Sequence, residues 1–127
     1  MKGVLVDTSV WVDHFRTGNV ALVELLAQDR ALIHPMVLGE LACGTPPAPR
    51  ARTLADLGLL PQCQQASLDE VMGLLERERL YGLGCGLVDM VLLASTLMTP
   101  GAELWTLDQR LAGLAQRLGA RYQPRIQ

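Results

Sequence analysis

The sequence is poor in the residues that build disulfide frameworks, zinc sites and histidine-based catalytic centres. It contains three cysteines and two histidines among 127 residues. Cys43, Cys63 and Cys85 are widely spaced and form no C-x-x-C pair, so we expect reduced, largely buried thiols. His14 is expected to face solvent from a helix and His34 to lie in a loop, and neither placement supports a histidine-based mechanism.

Long uncharged apolar stretches are also missing. No stretch reaches the roughly 18 residues that a membrane-spanning helix needs. Asp7 and Asp13 interrupt the apolar segment that a signal peptide would require. Half of the residues are hydrophobic and 19% are charged, a balance that favours a single packed domain over residues 1–127. We therefore expect a soluble, cytoplasmic protein that does not associate with membranes.

The sequence has almost no lysine, although it is not short of cations. The formal net charge is −2, and ten of the eleven cationic residues are arginine. This balance predicts no general nucleic-acid-binding surface, whereas arginine suits paired hydrogen bonds to phosphate better than lysine does. Four arginines in the last 18 residues could form a phosphate-binding edge or a solvated helix face: Arg110, Arg117, Arg121 and Arg125. The path of an RNA strand is not predicted.

Short apolar runs alternate with longer helical patterns along the chain. The apolar runs predict strands at residues 3–6, 31–33, 59–61, 103–106 and 120–123. Helical periodicity and capping signals predict helices at residues 9–16, 19–28, 35–43, 50–58, 67–80, 87–98 and 107–118. This alternation indicates an α/β fold with a mainly parallel central sheet. Ligands of such sheets bind beyond the carboxyl ends of the strands.

Four acidic residues lie in apolar surroundings. Asp7 ends the first predicted strand, Glu40 is the only charged residue in its helix, and Asp89 lies in the first turn of an apolar helix. Asp108 opens the last helix. Burial of a carboxylate is costly unless it is paired or binds a cation. Helix capping could explain each aspartate and solvent exposure could explain Glu40, but the four together favour a shared site.

Several carboxylates without a histidine or cysteine cluster suit a hard divalent cation, Mg²⁺ or Mn²⁺. Two such ions about 3.5–4 Å apart can activate a water and stabilise the leaving oxygen of a phosphodiester. Thr106 lies two residues before Asp108, where its hydroxyl could orient a carboxylate or a bound water. Clustered acids repel one another, so we expect raised carboxylate pKa values in the metal-free protein.

Four segments resemble, in order and spacing, the acidic motifs of PIN-domain ribonucleases, especially the VapC toxins of toxin–antitoxin pairs. The segments are Val6–Val12, Leu38–Gly44, Gly86–Ala94 and Leu104–Asp108. The resemblance implies a PIN-like α/β/α sandwich, a homodimer, and an endoribonuclease that uses one or two Mg²⁺ or Mn²⁺ ions. It also implies inhibition by a cognate antitoxin protein. By position, it implies catalytic metal ligands at Asp7, Glu40, Asp89 and Asp108, supported by Thr8, Ser9 and Thr106.

Two other classes of protein share some of these sequence features. The first is a catalytically inactive PIN-like module that binds RNA or dimerises, which would have no need to bury four acids. The second is a phosphohydrolase with Asp7 as a covalent nucleophile, as in haloacid-dehalogenase-like enzymes. Those enzymes carry a second aspartate two residues after the nucleophile, where this chain has Ser9. The sequence therefore favours the metal-dependent endoribonuclease.

Overall fold

The computed structural model describes residues 2–125 and is built around a parallel sheet. Residue 1 and residues 126–127 of the expected single domain lie outside the described residues. The sheet has the strand order β2-β1-β3, and its strands are β1 (Val4–Val6), β2 (Ala31–Leu32) and β3 (Glu103–Trp105). The central strand β1 is completely buried, as its run of apolar residues predicts.

Helices cover the sheet and make the predicted α/β/α sandwich. Within residues 2–125 they are α1 (Thr8–Thr17), α2 (Val20–Ala27), α3 (Pro35–Cys43), α4 (Arg50–Gly58), α5 (Leu68–Glu78), α6 (Leu87–Met98) and α7 (Gln109–Arg117). Helices α1 and α4 both pack on α3, and α5 packs on α6. Helix α2 contacts β2, while α6 and α7 contact β3. None of the described helices is both long and apolar enough to cross a bilayer.

The sheet is extended at each edge by a single pair of residues. Gln62 pairs in parallel with Ile33, and Arg121 pairs in parallel with Leu104. The two strands that the sequence predicts beyond β2 and β3 are therefore reduced to isolated pairs. The first pair also lies later than predicted, because Leu59 is still the C-cap of α4.

Capping side chains decide where two of the helices begin. Ser67 and Glu70 form the predicted capping box, with each side chain accepting a hydrogen bond from the other residue's backbone N–H, at 3.1 and 2.9 Å. Helix α7 begins at Gln109, two residues later than predicted. The delay has a local cause, since Asp108 is the N-cap and its carboxylate accepts a hydrogen bond from the Leu111 N–H at 3.0 Å.

The expectation of three largely buried thiols is wrong for Cys43. That residue is exposed, whereas Cys63 is buried and Cys85 is partly buried. Cys43 lies with Met36 and Glu40 on the solvent-facing side of α3, at helical spacing i, i+4 and i+7. Burial raises the pKa of the Cys63 thiol to about 11.

Both histidines are more buried than expected. His14 is partly buried, and its Nδ1 accepts a hydrogen bond from the Asn19 N–H at 3.0 Å. His34 is only 3% exposed. It lies in the loop before Pro35, as predicted, where it is the N-cap of α3 and its ring nitrogen accepts a hydrogen bond from the Met36 N–H.

Candidate active site

The carboxyl ends of β1 and β3 bring two polar residues side by side. Val6 at the end of β1 is aligned with Trp105 at the end of β3. Asp7 and Thr106 come next in each strand, and the Asp7 N–H continues the pairing by donating to the Trp105 carbonyl at 2.9 Å. The site therefore begins at the edge where ligands of parallel sheets bind.

Asp7 is a buried carboxylate held by two hydroxyl groups. It is 7% exposed, and its Oδ2 accepts hydrogen bonds from Ser9 Oγ and Thr106 Oγ1, each at 2.7 Å. Asp7 occupies the N-cap position of α1, yet its side chain makes no capping hydrogen bond. Capping therefore does not explain why a carboxylate lies here. The hydroxyls fix Oδ2, and no donor among residues 2–125 bonds Oδ1.

The same two hydroxyls hold the segment between β3 and α7 against Asp7. Ser9 Oγ accepts a hydrogen bond from the Leu107 N–H at 3.0 Å. Thr106 Oγ1 accepts one from the Asp108 N–H at 3.1 Å. Each hydroxyl thus accepts from the backbone and donates to a carboxylate, a charge-assisted arrangement that is stronger than a neutral hydrogen bond.

Glu40 reaches the site from α3, and it is exposed instead of buried. Its Oε1 accepts a hydrogen bond from Thr8 Oγ1 at 2.6 Å, which links α3 to the first residue of α1. The lack of a polar face in the α3 sequence wrongly suggested burial. Apolar Met36 shares the solvent-facing side of this helix with Glu40.

Asp89 lies in the first turn of α6 and is partly buried. Burial raises its pKa above the usual 3.8, and the charges of Asp7, Asp108 and Glu40 raise it further, although a hydrogen bond from the Gly86 N–H acts in the opposite direction. Asp89 is therefore within electrostatic reach of each of the other three acids. The expectation of a raised carboxylate pKa is confirmed at Asp89.

The four side chains do not converge on a single point. Among residues 2–125, no three aspartate, glutamate, histidine or cysteine side chains are grouped closely enough to hold a metal ion. The Glu40 carboxylate turns instead toward the Thr8 hydroxyl, and the Asp108 carboxylate turns toward the Leu111 N–H. Both are exposed, and exposed side chains change rotamer within nanoseconds. The available donors are carboxylate and hydroxyl oxygens, the set that suits Mg²⁺ or Mn²⁺.

A groove of about 440 Å³ adjoins the acids on the side of Glu40. Thr8 and Glu40 line the end nearest the acids, and the lining continues past Val12 and Arg16. The cation Arg16 was missed from the sequence. The available signal was its spacing of eight residues from Thr8, which puts both on one face of α1.

Arg110 lies near Asp89 and Asp108. Burial and the charges of Asp89 and Asp108 raise the pKa of the Cys85 thiol, and the charge of Arg110 lowers it, so these groups are neighbours. The other C-terminal arginines do not form a shared edge with Arg110. The Arg117 guanidinium donates to the Glu78 carbonyl, and the Arg121 guanidinium donates to the Gln116 side chain. Arg125 lines a separate pocket beside α2.

Comparison with known proteins agrees with this fold. The PIN domain matches the chain over residues 4–116. The chain is also 45% identical, over 116 residues, to the protein named Ribonuclease VapC32 in two strains of Mycobacterium tuberculosis. That match covers 91% of this chain and 93% of each relative. The chain therefore belongs to the PIN-domain family, and within that family it is of the VapC type.

Proposed function

We propose that this protein is a Mg²⁺- or Mn²⁺-dependent endoribonuclease and the toxin of a VapBC-type toxin–antitoxin pair. The proposal depends above all on four acids from four separate segments whose charges act on Asp89. Burial raises the pKa of Asp89, and the charges of Asp7, Asp108 and Glu40 raise it further. The ribonuclease name of the 45% identical relatives supports RNA as the substrate.

In this proposal the four acids Asp7, Glu40, Asp89 and Asp108 hold one or two ions. A bound divalent cation would supply Lewis acidity and lower the pKa of a coordinated water. The chain contributes orientation. Ser9 and Thr106 hold the Asp7 carboxylate in one direction. Outer contacts of this kind set the affinity of metal sites.

Two arginines near the acids are proposed to bind the phosphates of the RNA strand. Arg16 lies in the groove next to Glu40, and Arg110 lies near Asp89 and Asp108. Their guanidinium groups would hold the RNA backbone near the acids and offset the repulsion between phosphate and carboxylate. A cognate antitoxin and a second copy of the chain are proposed as protein partners, by analogy with VapC proteins.

RNA cleavage by purified variants tests the proposal. Asp7→Asn should lower the Mg²⁺-dependent cleavage rate by more than about 100-fold, beyond the roughly 10–100-fold cost of losing an outer partner of a metal site. Asp13→Asn is the matched control. Asp13 lies on α1 but is not one of the four acids, and its carboxylate accepts a hydrogen bond from the Asn19 side chain. Cleavage by Asp7→Asn at the parent rate would show that the site is wrongly assigned. A parent protein that neither binds Mn²⁺ nor cleaves RNA would favour the inactive module.

A further inference from the structure

A buried hydrogen bond outside the acidic site joins the helices that carry two of its carboxylates. His34 caps α3 and is 3% exposed, and Ser95 lies inside α6 and is completely buried. The His34 Nε2 and the Ser95 Oγ are 3.1 Å apart. The two residues are 61 positions apart in the chain, so this contact fixes one helix against the other.

The hydrogen bonds around the ring determine where its proton lies. His34 Nδ1 accepts a hydrogen bond from the Met36 N–H at 3.0 Å, so the proton of the neutral ring is on Nε2 and is donated to Ser95. Burial lowers the pKa of His34 below 6.5, which keeps the ring neutral at physiological pH. Ser95 Oγ also accepts from the Ala66 N–H at 3.0 Å, which ties the preceding loop to the same point.

The contact and the acids lie at opposite ends of two short helical segments. Glu40 follows His34 by six residues on α3, and Asp89 precedes Ser95 by six residues on α6. At a rise of about 1.5 Å per residue, each segment is about 9 Å long. The segments are joined by the hydrogen bond at one end, and at the other end the charge of Glu40 acts on Asp89. They therefore run in opposite directions and have equal length.

We propose that His34 and Ser95 form a strut that positions Glu40 relative to Asp89 and so sets the affinity of the acids for a divalent cation. This role rests on the proposed metal-dependent function and adds two positioning residues to it. Within residues 2–125, neither side chain forms a hydrogen bond to any of the four acids. The strut acts by holding the N-terminus of α3 at a constant offset from α6, and each helix carries that offset along its length to its own acid.

Two substitutions of His34 separate the strut from the capping of α3. The amide of Asn ends near the position of Nδ1, so His34→Asn keeps an acceptor for the Met36 N–H and loses the contact with Ser95. The longer Gln ends near the position of Nε2, so His34→Gln keeps a donor for Ser95 and loses the cap. Thr96→Val is the matched control on α6, because the buried Thr96 hydroxyl donates to the Leu92 carbonyl of its own helix and to no other group of the described residues.

The experiment is calorimetric titration of Mn²⁺ into the full-length parent and variants, each first shown to be folded by circular dichroism. His34→Asn and Ser95→Ala should bind Mn²⁺ about tenfold more weakly than the parent, the lower end of the cost of losing outer support at a metal site. His34→Gln and Thr96→Val should stay within about twofold of the parent. If Ser95→Ala does not fold, His34→Asn makes the same comparison with Ser95 and its bond from Ala66 intact.

Three results would overturn the strut. Parent-like affinity in His34→Asn would show that the contact does not position the acids. An equal loss in His34→Gln and His34→Asn would assign the effect to the general integrity of α3. Both results leave the proposed function intact. A parent protein that does not bind Mn²⁺ at all would overturn the proposed function and the strut with it.

Discussion

Replacement of Thr106 by Val tests how Asp7 is held. Val has nearly the shape of Thr but lacks the hydroxyl, so the buried Asp7 Oδ2 loses its 2.7 Å hydrogen bond from Thr106 and keeps the one from Ser9. The Asp108 N–H also loses its acceptor. Asp108 is exposed, so water can take over that second bond at little cost.

The size of the effect follows from the charge and burial of Asp7. A hydrogen bond to a charged group contributes about 1.5–3 kcal/mol, and Asp7 is only 7% exposed, so water compensates poorly for its loss. We therefore expect Thr106→Val to lower the free energy of unfolding by about 2 kcal/mol. Because only Ser9 then orients the carboxylate, Mn²⁺ affinity should also fall by about 10–100-fold.

Urea unfolding in the absence of metal and calorimetric Mn²⁺ titration measure these two effects. Thr106→Ser is the matched control, because it keeps the hydroxyl and removes one buried methyl group worth about 0.8 kcal/mol. Thr106→Ser should retain parent-like Mn²⁺ affinity. Equal Mn²⁺ affinity in Thr106→Val and Thr106→Ser would refute the idea that this hydroxyl orients Asp7.

Three further predictions concern charge, protonation and packing. Asp89→Asn should raise the free energy of unfolding of the metal-free protein at pH 7 by about 0.2–1 kcal/mol, because a raised pKa means that the ionised group destabilises the fold. Unchanged or lower stability of Asp89→Asn in urea would contradict this. The lowered pKa of His34 means that below about pH 6.5 the unfolded chain takes up a proton that the folded chain does not. Stability of the parent measured in urea should therefore decline from pH 7.5 to 5.5, and the decline should be less steep in His34→Asn. Parallel pH profiles of the two proteins would contradict this role of His34. Leu5→Ala, in the fully buried β1, should lower the free energy of unfolding by about 2–5 kcal/mol. Leu59 is 84% exposed, so Leu59→Ala should change it by less than about 0.5 kcal/mol. Similar urea midpoints for the two variants would contradict the burial pattern.

Elements with a strong local pattern could be predicted from the sequence. Helix α6 covers the predicted residues 87–98, because a mainly apolar run is bounded by Gly86 and by Pro100. The buried strand β1 is equally clear. The sheet edges were less predictable, since the pairs at Gln62 and Arg121 depend on a neighbouring strand and not on a local run of apolar residues.

Burial along α3 could not be predicted, because it depends on which neighbours cover the helix. Met36 and Cys43 are apolar and exposed, although the pattern of the segment suggested burial all round. The side that they share with Glu40 faces solvent, whereas Val37 and Leu41 point into the core. Apolar composition identified the helix but not its covered face.

The location of the acids was more predictable than their contacts. Asp7 and Asp108 follow strands β1 and β3, and parallel strands bring their carboxyl ends to one edge. By contrast, the bond from Thr8 to Glu40 and the contact of His34 with Ser95 join residues 32 and 61 positions apart. Contacts of that range depend on the packed fold and leave no periodic signal in the sequence.

The most direct test of a four-acid metal site is calorimetric titration of Mn²⁺ into the metal-free parent protein and into Asp89→Asn, followed by an RNA cleavage assay on the same samples. We predict that the parent binds one or two ions and cleaves RNA only when they are present. Asp89→Asn should remain folded but bind Mn²⁺ much more weakly and leave the RNA intact. Equal Mn²⁺ binding by the two proteins, or RNA cleavage by the parent in excess chelator, would contradict a metal site built from these acids.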